Sequence, residues 1–238
     1  MPAEPVHASP DIIAIDGPAA SGKSSTATAV AAALGYAHLD SGALYRGVTL
    51  IAIRECGARP GVPLDAAAIL RAAAAKRLEL RFDGAGFAVM VEGVPVETAI
   101  RGAEVTALVS PVSALPPIRA WVTERLRALG KGARPLVVDG RDIGTVVFPG
   151  ARLKIFLNAS PRTRASRRLA QRGEGVTASG VESEAALLAA RDAADASRPV
   201  APLRMAEDAV PLDGTDLSFA QQVAEIVRLA RGQAAGGS

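Results

Sequence analysis

Short apolar runs along the chain alternate with longer segments in which apolar residues recur every three or four positions. The apolar runs predict strands at residues 12–16, 36–39, 136–139, 153–157 and 209–213. Pro211 cannot donate a hydrogen bond to a neighbouring strand, so the last of these strands is expected at a sheet edge. Strands that alternate with helices predict an α/β fold, a three-layer core with a parallel sheet between two layers of helices.

Between residues 65 and 109 the pattern differs from that of the core. Asp65 predicts the start of a short Ala-rich helix. Apolar alternation between residues 78 and 96, interrupted by glycine turns, predicts a small antiparallel sheet. A further helix is expected at residues 103–109. These elements predict an insertion into the core.

Two later helices have clear start signals. Ser160 followed by Pro161 predicts an N-cap and a first helical residue, and Ser218 with Gln221 predicts a capping box for the closing helix. The first of these helices carries Arg162, Arg164, Arg167, Arg168 and Arg172. The chain after residue 231 is expected to be disordered.

A glycine-rich segment lies between the first predicted strand and a helix expected at residues 25–34. Its sequence is Gly17-Pro18-Ala19-Ala20-Ser21-Gly22-Lys23-Ser24, which fits the phosphate-binding pattern of Gly, four residues, then Gly-Lys-Ser/Thr. Backbone N–H groups at the start of a helix favour an anion. The segment, with Ser25, therefore predicts a nucleoside-triphosphate site, in which Lys23 reaches the β- and γ-phosphates and Ser24 ligates Mg²⁺.

Composition limits the classes of function. Aromatic residues make up 3% of the 238 residues, so base stacking on an aromatic platform is not expected. The formal charge of +3 comes from clustered arginines, which suit either nucleic acid or a pocket for phosphorylated substrates. Cys56 is the one cysteine, which excludes an intrachain disulfide, and we expect its thiol to be buried. His7 and His38 leave little material for His-centred catalysis.

Localisation can also be predicted. Residues 1–10 have neither the basic start nor the apolar core of a signal peptide. No apolar run approaches the length of a membrane span. We therefore expect a soluble cytoplasmic protein with no membrane partner.

Motifs outside the phosphate-binding segment favour phosphoryl transfer over hydrolysis. The predicted strand at residues 136–139 resembles the second NTPase motif, but Gly140 follows it where mechanical ATPases usually carry a glutamate that activates water. No Asn-Lys-x-Asp segment is present to recognise guanine. Three segments, 40–46, 139–149 and 191–198, each combine arginine with carboxylates and small residues. Arginine suits phosphate oxygens, and carboxylates suit ribose hydroxyls or a cytosine amino group.

These segments together resemble bacterial cytidylate kinase, from about residue 12 to the closing helix. The most specific are Asp40-Ser41-Gly42-Ala43-Leu44-Tyr45-Arg46 and the segment from Asp139 to Pro149. The resemblance implies the fold of the nucleoside monophosphate kinases, with a monophosphate-binding insert at residues 65–112 and a helical lid at 161–180. The core would then comprise residues 1–64, 113–160 and 181–231, followed by the tail at 232–238.

The resemblance also implies roles for individual residues. Cytosine would be bound by Ser110, Arg119 and Asp142, and the sugar by Tyr45, Arg191 and Asp195. The phosphate of the acceptor would be bound by Ser41, Arg46, Arg141 and Arg198. The expected catalytic residues are Lys23, Arg141, Arg164 and Arg168. Ala194 departs from the family, in which some members carry another arginine, and Ser24 replaces a glycine found in many relatives.

The resulting hypothesis is an Mg²⁺-dependent enzyme that phosphorylates CMP, and dCMP as a second substrate, with ATP. It is expected to be a monomer without a stable nucleic-acid partner. One alternative is a kinase for UMP or another small acceptor. Another is a non-catalytic nucleotide-sensing or RNA-binding module, which would place its arginines on an exposed face, whereas a kinase needs them in one cleft.

Overall fold

The computed structural model of the protein describes residues 11–132 and 134–235. In chain order, the elements are β1 (Ile12–Asp16), α1 (Lys23–Leu34), β2 (Ala37–Asp40), α2 (Ser41–Cys56), α3 (Ala66–Ala75), β3 (Glu79–Phe82), β4 (Phe87–Val91), β5 (Val94–Pro95), α4 (Glu97–Ile100), α5 (Ala103–Ala114), α6 (Pro116–Gly130), β6 (Leu136–Gly140), a π-helical turn (Ile143–Val147), β7 (Leu153–Asn158), α7 (Pro161–Gln171), α8 (Ala178–Ala196), β8 (Val210–Asp213) and α9 (Phe219–Ala235).

Five of the described strands form one parallel sheet in the order β2-β6-β1-β7-β8. Successive residues of β1 face opposite sides of it. Ile12 and Ala14 pack in the same core cluster as residues of α2, α5 and α6, and Ile13 and Ile15 pack with residues of α1 and α9. The predicted three-layer α/β core is therefore confirmed, and β8, which contains Pro211, lies at its edge as expected.

The predicted small sheet is also present. Strands β3, β4 and β5 pair antiparallel in that order. The sheet packs closely on α2, because a Cβ added at Gly47 would lie 2.8 Å from Val89 Cγ1 and 3.0 Å from Leu78 Cδ1. His38 of β2 also forms a bridge with Gly86, so the inserted sheet is attached directly to the edge of the core.

The predicted helix starts are confirmed. Asp65 accepts hydrogen bonds from Ala67 N and Ala68 N, and Ser160 Oγ accepts one from Thr163 N. Ser218 and Gln221 form the reciprocal capping box of α9.

Three expectations about the ends of elements are wrong. Helix α5 extends to Ala114, five residues beyond the predicted end at 109, and the predicted insert boundary at 112 falls inside it. Helix α9 continues to Ala235, although disorder was expected from residue 232. Cys56 is exposed, because it is the last residue of α2 and lies beyond the buried face. Residues 1–10 and 236–238 lie outside the described residues. The predictions that residues 1–10 are not a signal peptide and that residues 236–238 are disordered therefore also lie outside them.

Within the described residues, no single helix is long and apolar enough to cross a membrane. Helices α5 and α6 satisfy that test of length and composition only when taken together, and they are bent by 96° at the break between them.

Candidate active site

The phosphate loop, residues 17–24, connects the end of β1 to α1. Its two glycines are required by geometry. A Cβ on Gly17 would clash with the Leu157 carbonyl oxygen, and Gly22 has a left-handed φ of 91° at the N-cap of α1. Lys23 Nζ donates to the Pro18 carbonyl at 3.1 Å, across the loop. Burial, together with the charge of Arg141, lowers the pKa of Lys23 to about 7.

A cavity of about 230 Å³ opens over this loop. It brings together most of the predicted site residues: Ala19, Ala20, Gly22, Lys23, Ser24, Ser25, Ser41, Tyr45, Arg46, Arg119, Arg141, Asp142, Arg168, Arg191, Asp195 and Arg198. The predicted residues that do not line it are Gly17, Pro18, Ser21, Ser110 and Arg164. Two further carboxylates, Asp40 at the end of β2 and Asp139 in β6, also line the cavity.

Ser24 and Asp139 meet at one side of the cavity. Ser24 Oγ donates to Asp139 Oδ2 at 2.6 Å, so a hydroxyl and a carboxylate from α1 and β6 lie side by side. Burial opposes the charged form of Asp139, but the hydrogen bond and charge of His38 outweigh it and lower its pKa. Among the described residues, no group of three or more His, Cys, Asp or Glu could hold a metal alone. The pair fits Mg²⁺, which prefers oxygen ligands and is usually bound by one or two protein groups plus phosphates.

His38 does not line the cavity but contacts Asp139, which does, although the sequence offered little reason to expect a role for it. Its Nε2 lies 2.8 Å from Asp139 Oδ1 and its Nδ1 lies 3.1 Å from Thr28 Oγ1. The pKa of His38 is raised, because contact with Asp139 outweighs the effect of burial. The contact depends on β2 lying beside β6 in the sheet, and the sequence does not give that strand order.

The arginine–carboxylate pocket is the part of the cavity lined by Tyr45, Arg119, Arg141, Asp142, Arg191, Asp195 and Arg198. At one end, Arg119 Nη2 donates to Asp142 Oδ2 at 2.7 Å, and both side chains are buried. Arg119 also lies 5.2 Å from the centre of the Tyr45 ring. Its Nε is buried and has no hydrogen-bond partner within the part of the chain that the structure describes. Burial lowers the pKa of Arg119, but the Asp142 charge outweighs it and raises the pKa overall.

At the other end of the pocket, Asp195 joins two arginines from different elements. Its carboxylate accepts from Arg141 Nε at 2.9 Å and is also paired with Arg198. Arg191 Nε is buried and lacks a partner among the residues described. Burial, followed by the charge of Arg141, lowers the pKa of Arg191 to about 10. The pocket therefore holds more positive than negative charge, as a site for an anion would.

Ser110 does not reach the cavity, and Ser113 lines it instead. Ser113 Oγ donates to the Ser110 carbonyl at 3.0 Å and accepts from Arg198 Nη2 at 3.1 Å. The Ser113 carbonyl accepts from Arg119 Nη1 at 3.1 Å. The physical reason is that α5 continues for more than a turn beyond its predicted end.

Arg164 and Arg168 were both expected to be catalytic, and the structure separates them. Arg164 is buried beneath the phosphate loop, where it donates to Ala19 O at 2.9 Å and to Asp192 Oδ2 at 2.5 Å. Arg168 lines the cavity, and burial lowers its pKa. Side chains one turn apart start from the same helix face, but the long Arg164 chain turns toward the loop carbonyl. Arg164 therefore has a structural position here.

The comparisons with known proteins show the family of the chain. The family model for cytidylate kinase matches residues 13–232. The chain is 43% identical to the cytidylate kinase of Mycobacterium avium (strain 104) over 92% of this chain and 95% of the relative. It is 42% identical to that of Chlorobaculum tepidum over 92% of each chain. A gluconokinase structure from Sinorhizobium meliloti 1021 is 19% identical, with a TM-score of 0.45, over 97% of this chain and 99% of that one. The chain belongs to the cytidylate kinase family.

Proposed function

We propose that the protein transfers the γ-phosphoryl group of ATP to CMP, giving ADP and CDP, and that dCMP is a second substrate. The observation that carries the proposal is a single cavity in which the phosphate loop faces a buried carboxylate–arginine pair, Asp142 with Arg119. The family membership supports the same reaction.

Base recognition follows from the polarity of that pair. Asp142 presents an acceptor that suits the N4 amino group of cytosine, and Arg119 presents donors that suit its N3 and O2. The Arg119 Nε is buried and has no hydrogen-bond partner among the described residues, so an acceptor on a bound base that reached it would satisfy an unpaired donor. Uracil presents O4 and N3–H instead, which would leave Asp142 facing an acceptor in a desolvated pocket.

Phosphoryl transfer in this site depends on positioning and charge. The phosphate of CMP is already largely ionised at neutral pH, so the reaction needs no strong base. Lys23, Arg141 and Arg168 all line the cavity and would offset the negative charge of both nucleotides. Tyr45, Arg191 and Asp195 would hold the sugar, and Ser41, Arg46 and Arg198 the acceptor phosphate. Mg²⁺, held by Ser24 and Asp139, would supply further charge neutralisation at the donor phosphates.

A lid role for residues 161–180 is part of the proposal. Arg168 of α7 lies over the cavity, and closure around both nucleotides would exclude water and limit hydrolysis of ATP. That the enzyme acts as a monomer in the cytoplasm stays a prediction.

The arrangement of arginines favours a kinase over an RNA-binding module. Arg46, Arg119, Arg141, Arg191 and Arg198 converge on one cavity and are partly or fully shielded from solvent. A phosphate-binding surface for RNA needs exposed cations that follow the backbone.

A coupled ADP-release assay with Mg·ATP and a panel of monophosphates tests the proposal. We expect turnover with CMP and dCMP, and much weaker turnover with UMP, AMP and GMP. Filter binding with generic RNA, run in parallel, should show no retention at physiological salt. ADP release that is independent of the monophosphate, or specific for UMP, would contradict the proposal.

A further inference from the structure

Asp16, the last residue of β1, is a buried carboxylate for which the proposed reaction has no role. The residue is only 5% exposed. Oδ1 accepts from the backbone N–H of Ile143 at 2.8 Å, and Oδ2 accepts from that of Gly144 at 2.7 Å. Both oxygens are thus occupied by successive amides of a segment 127 residues away in sequence.

Those amides belong to the π-helical turn that directly follows Asp142. The Asp142 carbonyl accepts from Val146 N at 2.9 Å and from Val147 N at 3.1 Å, so Asp142 is the first residue that the turn holds in place. The first amides of any helix have no acceptor within the helix, and Asp16 provides one for each of two here. A π-helical turn is a rare conformation, often found at functional sites, so this pair of hydrogen bonds stabilises an unusual backbone.

Asp16 also immediately precedes Gly17, the first residue of the phosphate loop. One side chain therefore connects the start of the loop that would bind the donor to the turn that carries Asp142. Hydrogen bonds weaken steeply with distance and angle, so a displaced Asp142 would lose the hydrogen bond that cytosine offers and uracil does not. Asp16 can therefore affect the choice of base without touching either nucleotide.

We propose that Asp16 is a positioning residue: it fixes the π-helical turn relative to the phosphate loop, and thereby holds Asp142 where cytosine is distinguished from uracil. The inference rests on the proposed function, because it assigns Asp142 to the base. It concerns selectivity, and not only the stability of the turn.

The protonation state of Asp16 gives the proposal a second measurable consequence, a dependence of selectivity on pH. The pKa of Asp16 is raised to about 6, because burial outweighs the opposing effect of the Gly144 and Ile143 amides; the charge of Asp142 also raises the pKa, and that of Lys23 lowers it. Lys154 of β7 also lies close by: its side chain passes beside Gly144, while its Nζ pairs with Asp208 at 2.8 Å. A carboxylate accepts both N–H groups, whereas a protonated carboxyl would turn an O–H toward one of them. Discrimination should therefore decline as the pH falls through about 6.

The test is the ratio of kcat/KM for CMP to kcat/KM for UMP in the full-length protein, with Asp16→Asn compared with the parent. Asn keeps the shape but offers one acceptor, and its NH₂ group opposes the second amide. We expect the ratio to fall at least about tenfold, within the range for losing a buried hydrogen bond to a charged group. Asp65→Asn is the matched control, because Asp65 also accepts two backbone N–H bonds but at an exposed helix start, and it should leave the ratio unchanged.

Two further measurements complete the test. Hydrogen exchange of the Ile143 and Gly144 amides should be faster in Asp16→Asn than in the parent. The parent's CMP:UMP ratio should fall between pH 7 and 5.5, and a folded Asp16→Asn protein should lose that dependence. The ratio cancels titration of the substrate phosphate, which both nucleotides share.

The outcomes separate the two proposals. A folded Asp16→Asn protein with the parent's ratio, or one that loses activity with CMP and UMP equally, would overturn the positioning role. If Asp16→Asn does not fold, a parental ratio that stays flat with pH would overturn it, and a falling ratio would support it. A parent enzyme without any preference for CMP would contradict the proposed function instead.

Discussion

The phosphate loop and the arginine–carboxylate pocket share one cavity but hold charge in different ways. The loop is eight consecutive residues, and its shape depends on backbone conformation at Gly17 and Gly22. The pocket is assembled from helices and turns between residues 45 and 198, and most of its charged groups are paired with one another, as Arg119 is with Asp142. A ligand in the loop meets Lys23, whose charged form is disfavoured by burial. A ligand in the pocket must instead contact side chains that already form ion pairs with one another. Changes in the loop should therefore reduce the rate with every acceptor, and changes in the pocket should alter which acceptor is used.

The largest effect is expected from Lys23→Ala. Removing a cation that follows the transferred phosphoryl group should lower kcat by roughly 10²–10³-fold. The melting temperature should not fall, because burial disfavours the charged form of Lys23 and lowers its pKa to about 7. Steady-state kinetics and thermal unfolding measure both quantities, with Lys131→Ala, an exposed lysine at the end of α6, as control. Near-normal turnover in a folded Lys23→Ala protein would mean that this loop is not the catalytic phosphate site.

Asp142→Asn tests the pocket in the same way. The substitution removes the buried charge that pairs with Arg119 and replaces one acceptor position with a donor. We expect kcat/KM for CMP to fall by between about tenfold and a hundredfold, and that for UMP to fall much less. An equal loss with both substrates would show that Asp142 supports the fold of the pocket without selecting the base.

Arg168 and Arg164 form a matched pair within α7. Arg168→Ala should lower kcat more than about tenfold, or about 1.4 kcal/mol of barrier, with the melting temperature almost unchanged. Arg164→Ala should instead lower the free energy of unfolding by about 3 kcal/mol, because it leaves Asp192 without its buried partner. The reverse result, a stability loss at Arg168 and a pure rate loss at Arg164, would contradict the orientation of α7 described above.

The smallest effect concerns pH. The pKa of Lys23 is about 7 in the free protein, and nucleotide phosphates favour the charged form, so binding should take up a proton above pH 7. The affinity for the nucleotide is therefore highest below pH 7 and weakens as the pH rises. Metal-free ATP should bind about eightfold more weakly at pH 8.5 than at 7.5, and Lys23→Met should remove the dependence. Calorimetry in two buffers of different ionisation enthalpy measures the proton uptake, and its absence would contradict the lowered pKa.

The parts of the molecule that sequence predicts well are those with contiguous determinants. The phosphate loop needs only Gly17 to Ser24 between a strand and a helix, and the core strands are continuous apolar runs. Pro211 correctly predicted that β8 lies at the edge of the sheet, because proline has no backbone N–H to donate to a second neighbouring strand.

The parts that sequence did not predict depend on where a side chain points after the chain has folded. Ser113 replaces Ser110 in the cavity because α5 is longer than expected, and Arg164 turns beneath the loop although it shares a helix face with Arg168. His38 reaches Asp139, and Asp16 reaches the π-helical turn, only because of strand order. None of these contacts can be recognised from a pattern of neighbouring residues in the sequence.

The most direct test of the account is a competition between CMP and UMP. Equal concentrations of both are mixed with Mg·ATP and the parent enzyme, and CDP and UDP are quantified at early time points. The account predicts that CDP forms at least about tenfold faster than UDP, a modest demand on one buried hydrogen bond lost by uracil. Equal rates of formation would contradict the assignment of Asp142 and Arg119 to the cytosine base.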